Sequence, residues 1–207
     1  MTRRLPLFPL GTVLMPTQLL PLHVFEPRYR ALMTDLTAPG ATPELGVVLI
    51  ERGHEVGGGD QRLGTGTVGR LVRADQLPDG RWLALLTGTG RFRVERWLPD
   101  DPYPRAEVED LDDPPWDGAD DSVLATAEAI VREAVALAAE LGDNEIPAGF
   151  ELAADPILRS WQLCAVAPLG PLDRQRLLER ARAERLALLV DGVRDAKRML
   201  AFRLGGG

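Results

Sequence analysis

LPLFPLGTVLMPTQLLPLHVFEPRYRALMTDL, residues 5–36, decides the fold of this chain, because it joins short apolar segments to an amphipathic helix. Five prolines divide it, at positions 6, 9, 16, 21 and 27. Proline cannot donate a hydrogen bond to a β-ladder, so LPLFPL, TVLM and QLLPLHVF are predicted to be brief, edge-like or bulged strands. This pattern favours the start of a small β-barrel over a Rossmann core.

The helix at the end of this stretch is predicted to begin at Glu26 and Pro27. Proline suits the first helical position because its φ angle is already helical. Apolar side chains then recur at the spacing of three and four residues that marks a buried helix face. They are Tyr29, Leu32, Met33 and Leu36.

Composition limits the possible functions. The 207 residues are 45% hydrophobic, which is enough for a core without metals or disulfides, and we expect two modest subdomains. The net charge of −7 argues against DNA, RNA and anionic membranes as partners, since phosphates require clustered positive charge. No stretch approaches eighteen apolar residues, and the N-terminus makes a poor signal peptide, so the expected location is cytoplasmic.

The middle of the chain has the period-two pattern of strands. ELGVVLIER, residues 44–52, is predicted to be a central strand. TVGRLVRAD, RWLALLT and RFRVERWL follow, separated by turns at Pro78-Asp79-Gly80 and at Gly88-Thr89-Gly90, and predict a three-stranded antiparallel meander. PRAEVEDLD, residues 104–112, is predicted to add a last strand.

A proline-rich acidic run then separates the strands from a helical region. The segment DDPPWDGADD has no calcium-loop spacing and is predicted to be an acidic linker. We therefore expect a β-barrel subdomain at 1–115 and an α-helical bundle at 116–207, with the break within 112–120.

Four helices are predicted in the second part. The first has an apolar stripe, the second has Asp155 and Pro156 as its cap and first residue, the third is PLDRQRLLERA, and the fourth has a second stripe. The first stripe is Val123, Ala127, Ile130, Ala134, Leu137 and Leu141. The second is Leu186, Leu189, Val193, Ala196 and Leu200. The fold class is therefore α+β.

The sequence offers no recognisable catalytic, cofactor or metal site. Residues 64–69 match G-x-G-x-x-G, but no helix follows and no carboxylate lies about twenty positions later. Lys197 is the only lysine and no glycine precedes it, which excludes a Walker loop. Cys164 has apolar neighbours typical of a buried inert thiol, and Ser160 lacks G-x-S-x-G. His23 and His54 are too few for ordinary zinc spacing with one cysteine.

Three long segments resemble one family: residues 5–33, residues 64–97 and the run SWQLCAVAPLGPLDRQRLLERARAERLALL at 160–189. Together they are similar to the N-terminal substrate-binding domain of ATP-dependent Lon proteases, which is also seen alone and, more distantly, in cereblon. The resemblance implies a PUA-like, mostly antiparallel β-barrel followed by a helical bundle, and a role in holding substrate polypeptides. The Lon ATPase and Ser-Lys protease motifs are absent from this sequence, so no catalytic residue carries over.

Two functions follow as hypotheses. The first is a non-enzymatic module that recognises exposed apolar or unfolded polypeptide segments, as an adaptor or regulator in quality control beside a protease or chaperone. The alternative is a PUA-like binder of a small molecule or RNA. For the first, we expect Leu14, Met15 and Leu19 around Pro16 to bind the polypeptide, since a strand edge gives main-chain bonds and methionine adapts to varied partners. The competing explanation is that these three residues fill the barrel.

Overall fold

The computed structural model describes residues 2–53, 61–143, 146–147 and 149–205. These residues divide into two compact units, Met1–Asp112 and Asp113–Gly207. His54 lies outside the described residues. The first unit is β-rich and the second is helical, which gives the α+β class expected from the sequence. Within the described residues, no helix is both long and apolar enough to cross a membrane.

The described residues of the first unit form a six-stranded mixed sheet and one helix. The elements are β1 (Thr2–Leu10), β2 (Leu19–Val24), α1 (Pro27–Thr37), β3 (Glu44–Arg52), β4 (Gln61–Gln76), β5 (Trp82–Leu98) and β6 (Arg105–Leu111). The sheet order is β2-β5-β4-β3-β1-β6, and β5 also pairs with β6. The pairings of β1, β3, β4, β5 and β6 therefore form a closed circuit, while β2 lies outside it on β5. Only β1 and β3 are parallel among these pairs.

Strand β1 differs from the edge-like strand predicted from its prolines, because it lies between β6 and β3. Residues 2–6 pair with β6, whereas residues 7–10 pair with β3. Apart from Leu7, whose N–H donates to the Pro104 carbonyl oxygen next to β6, each half of the strand thus forms its ladder on one side only. This division accommodates Pro6 and Pro9. Proline has no N–H group, and it can occupy a strand position where its nitrogen faces an edge without ladder hydrogen bonds.

The predicted meander is wrong in one respect: Gly88-Thr89-Gly90 is not a turn but lies inside the continuous strand β5. The register between β4 and β5 shifts between Val68 and Gly69, opposite these glycines. Gly88 is required by a close approach, because a Cβ atom there would lie 2.2 Å from the carbonyl oxygen of Met15. The glycines thus mark a bulge and a crowded backbone rather than a chain reversal.

Helix α1 confirms the predicted buried face. Its buried residues are Tyr29, Leu32, Met33 and Leu36. They pack with Phe8, Leu45, Trp82 and Leu86 of the strands in the larger apolar cluster of the unit. The ring of Tyr29 stacks on Phe8 with 4.2 Å between ring centroids. Strands and helix thus share one core, which also contains Val24 at the end of β2.

Where the structure describes it, the second unit contains four helices: α2 (Asp121–Glu140), α3 (Pro156–Val166), α4 (Pro171–Glu179) and α5 (Arg182–Gly205). The Asp155 side chain accepts a hydrogen bond from the Leu158 backbone N–H at 2.8 Å, as its predicted capping role requires. The stripe predicted for α5 is confirmed at Leu186, Leu189, Val193 and Leu200, which are buried. In α2 the predicted stripe is confirmed at Ala127 and Ala134, but the next residue along is buried in place of Val123, Ile130 and Leu137, and Leu141 is only partly buried. The buried residues of α2 are Leu124, Ala127, Val131, Ala134, Val135 and Ala138.

Most of residues 114–119 are exposed, but the acidic segment 113–120 is tied to the helical unit at its two ends, which its composition did not predict. Asp113 pairs with the fully buried Arg185 at 2.7 Å, and the guanidinium of Arg185 lies 3.6 Å from the ring centroid of Trp161. Arg182 binds Asp120 at 2.8 Å and donates to the carbonyl oxygens of Pro114 and Pro115. Two arginines of α5 therefore hold this segment on the helical unit.

Candidate functional site

The three residues predicted to bind polypeptide occupy different environments. Leu14 and Met15 are 1% and 0% exposed, whereas Leu19 is 56% exposed. Leu14 belongs to the apolar cluster beneath α1. The structure therefore brings only Leu19 to the surface, and it places Leu14 and Met15 where they support the fold.

The loop before β2 is held tightly by polar contacts. The Thr67 hydroxyl donates to the Leu14 carbonyl oxygen at 2.5 Å, and the Met15 N–H donates to the Gln18 side chain at 3.1 Å. Thr17 and Gln18 exchange backbone hydrogen bonds with Gly88 at 2.8 and 2.9 Å. Thr17 adopts a φ angle of 72°, which is uncommon for a β-branched residue. These contacts fix the point at which β2 begins, and with it the position of Leu19.

Strand β2 presents apolar side chains at its outer face. Pro21 is exposed, and Leu19 and Phe25 are 56% and 50% exposed. Leu83 of β5 is 47% exposed and lies opposite His23 in the ladder, so it faces the same side. We call Leu19, Pro21, Phe25 and Leu83 the β2 apolar strip. Large apolar side chains grouped on a surface are typical of an interaction site.

The edge of β2 adds main-chain groups to this strip. Among the described strands, β2 pairs with β5 alone, so its other edge is unoccupied by a further strand. A small cleft of about 170 Å³ adjoins this edge and is lined by Phe8, Leu10, Leu22, Phe25 and Tyr29, among others. An edge strand with a neighbouring apolar cleft can accept an extended segment and one of its side chains.

Sequence reasoning missed Phe25 and Leu83 at this surface. A signal for Phe25 was present, since the predicted strand QLLPLHVF ends at Phe25 and its positions 19, 21, 23 and 25 alternate, although β2 itself ends one residue earlier at Val24. Leu83 could not be predicted, because no sequence pattern indicates that β2 pairs with β5, which lies about sixty positions later.

In the part of the chain that the structure describes, the side chains that could carry chemistry lie apart from one another. Cys164 is fully buried, and desolvation raises the pKa of its thiol to about 11. The buried Ser160 donates its hydroxyl to the carbonyl oxygen of Ile157, and Lys197 pairs with Glu133. The G-x-G-x-x-G segment at 64–69 lies within β4. No cluster of three metal-binding side chains occurs among the residues that the structure describes.

Comparison with protein families gives one match over nearly the whole chain. The model of the ATP-dependent protease La (LON) substrate-binding domain matches residues 4–193. Lon protease 2 of Herpetosiphon aurantiacus is 28% identical over 182 residues, which are 86% of this chain and 22% of that protein. The Lon protease of Flavobacterium johnsoniae is 28% identical over 66% of this chain and 17% of its own length. The chain thus spans about a fifth of these relatives.

Solved structures agree with this match. The Lon N-terminal domain protein from Xanthomonas campestris is 28% identical, with a TM-score of 0.65 over 91% of this chain and 98% of that one. The N-terminal domain of the Mycobacterium avium complex Lon protease is 16% identical and shares the fold, with a TM-score of 0.59 over 93% and 99% of the two chains. With the family match over residues 4–193, these likenesses show that the chain belongs to the Lon substrate-binding domain family.

Proposed function

We propose that this protein is a non-enzymatic binding module that holds exposed apolar or unfolded segments of other polypeptides. Its role would be that of an adaptor or regulator in protein quality control, beside a protease or chaperone. Membership of a substrate-binding family supports a polypeptide ligand. The alternative, a PUA-like binder of a small molecule or RNA, is not favoured by membership of that family. The net charge of −7 also disfavours binding to the phosphates of RNA.

The observation that carries the proposal is the β2 apolar strip beside an unoccupied strand edge. An extended polypeptide gains main-chain hydrogen bonds when it adds to such an edge, whatever its sequence. Apolar side chains of the ligand then pack on Leu19, Phe25 and Leu83 and are buried from water. This burial stabilises the complex by roughly 25 cal/mol per Å² of apolar area. This combination suits ligands that share unfolded, apolar character but no common sequence.

The two buried residues near Pro16, Leu14 and Met15, have a supporting role in this proposal. Leu14 and Met15 anchor the loop that sets the start of β2, so they position Leu19 without touching the ligand. The circuit of strand pairings fits a PUA-like barrel, with β2 as an added outer strand. We also propose that the boundary between the barrel subdomain and the helical bundle lies within residues 112–120, and that the protein acts in the cytoplasm.

Two substitutions test the surface: Leu19→Asp and Phe25→Asp. The probe is reduced, carboxymethylated α-lactalbumin, which is permanently unfolded. We expect wild-type protein to bind it and each variant to lose at least tenfold in affinity, with little change in melting temperature because both side chains are half exposed.

Leu172→Asp is the matched control, since Leu172 is 63% exposed on α4 of the other unit. It should bind the probe as wild-type protein does. Unchanged binding by well-folded Leu19→Asp and Phe25→Asp variants would overturn the proposed surface. Absence of binding by the wild-type protein would overturn the proposed function.

A further inference from the structure

A second pocket opens on the outer face of the first unit, apart from the β2 apolar strip. It has a volume of about 400 Å³, within the range of about 300–1,000 Å³ usual for ligand pockets. Most of its lining is apolar, from Leu5, Pro6, Leu98, Pro99 and Tyr103. Two arginines, Arg4 and Arg105, complete it.

Strand register explains why these residues meet. Arg105 of β6 lies between Pro6 of β1 and Leu98 of β5, which are its partners in the two ladders. Side chains directly opposite in antiparallel strands face the same side, so Pro6 and Leu98 form an apolar floor around the base of Arg105. Arg4 belongs to the same outer face two residues earlier on β1.

The two guanidinium groups are only weakly engaged within the protein. Arg105 lies 3.7 Å from Asp101, whose side chain is 84% exposed, and Arg4 lies 3.7 Å from Glu107. Glu107 is already bound by Arg96 at 2.7 Å, so Arg4 is its more distant partner. The Nε–H of Arg105 is buried and has no hydrogen-bond partner among the described residues. A buried donor of this kind marks a place for an acceptor.

We propose that this pocket binds the C-terminal residue of a polypeptide that ends in an apolar side chain. The C-terminal carboxylate accepts hydrogen bonds from Arg105 and Arg4, and the last side chain packs on Pro6 and Leu98. Arginine and carboxylate form charge-assisted and often bidentate pairs, so this combination selects a free acid on an apolar group. The inference rests on the proposed function, because it names the part of the polypeptide that this pocket takes.

The test uses two peptides, acetyl-Gly-Ser-Gly-Ala-Leu as the free acid and as the C-terminal amide, with binding measured by calorimetry on the full chain. We expect the acid to bind at least tenfold more tightly than the amide. This ratio corresponds to the net contribution of about one charge-assisted hydrogen bond to the binding free energy. Arg105→Gln should reduce acid binding to the level of the amide, and Arg4→Gln should weaken it less. Arg4 is 78% exposed, so the second variant keeps the fold.

Arg93→Gln serves as the control, because Arg93 is an exposed arginine of β5 outside the pocket. It should bind both peptides as wild-type protein does. Equal binding of acid and amide would overturn the inference, and so would acid binding that survives both pocket variants. Acetyl-leucine binding as tightly as the peptide would assign the pocket to small carboxylic acids and overturn the polypeptide assignment. Binding of unfolded α-lactalbumin reports on the β2 apolar strip separately, so either proposal can fail alone.

Discussion

The ion pair between Asp113 and Arg185 should be the most sensitive polar contact of the helical unit. The side chain of Arg185 is 0% exposed and that of Asp113 is 6% exposed, and they meet at 2.7 Å. Asp113→Ala would leave the guanidinium buried without its carboxylate. Removal of one partner of a buried pair typically costs about 3–5 kcal/mol, because the remaining charge cannot return to water.

The assay is urea denaturation of the full chain, followed by the circular dichroism of the helices. Asp191→Ala is the control, since it removes an ion pair with Arg194 in which both side chains are more than half exposed. Such surface pairs contribute about 0–1 kcal/mol. The double variant Asp113→Leu, Arg185→Met removes both charges and should recover much of the loss, because methionine can still pack on Trp161. A loss below about 1 kcal/mol for Asp113→Ala would refute this reasoning.

Two further predictions concern the first unit. Gly88→Ala should lower the free energy of unfolding by about 1–3 kcal/mol or more, since its Cβ would lie 2.2 Å from the Met15 carbonyl oxygen. Gly90→Ala, with no atom within 4 Å of the added Cβ, should be neutral or stabilising when both variants are compared by urea denaturation, and equal effects would contradict the bulge geometry. Desolvation and the hydrogen bond to Asp35 raise the pKa of Tyr103 to about 12, from a usual value of 10.0. The folded state thus holds this proton more tightly, so the stabilisation is complete below pH 10 and is lost as the pH rises towards 12. Tyr103→Phe should remove this part of the pH dependence in urea unfolding, and an unchanged profile would contradict it.

Helix faces and helix caps could be predicted from the sequence, because they depend on the spacing of residues that are close together in the chain. The buried face of α1 and the cap of α3 follow from a helical period and from Asp155 before Pro156, and both are confirmed. The stripe of α2 was displaced because its alanines and valines surround much of the helix, so composition alone does not select one face. Gly88 and Gly90 resembled a turn, because a bulge and a turn use the same residue type.

The surface and the buried ion pair depend on contacts between distant parts of the chain. Asp113 looked like a linker residue because its partner Arg185 is 72 positions away. Leu14 and Met15 looked equivalent to Leu19 because each is an apolar residue near Pro16. Their difference arises from Thr67 and Gly88, which hold the loop inward. Such pairings cannot be derived from period or composition, since they require the register of the sheet.

Amide hydrogen exchange of β2 shows whether an unfolded polypeptide adds to the edge of this strand. The full chain is incubated in deuterated buffer with and without excess reduced, carboxymethylated α-lactalbumin. We expect exchange to slow in peptides covering residues 19–25, because an added strand protects the unoccupied edge of β2, and we expect no change in α4. Protection confined to other segments, with β2 exchanging at its free rate while the probe is bound, would contradict this expectation.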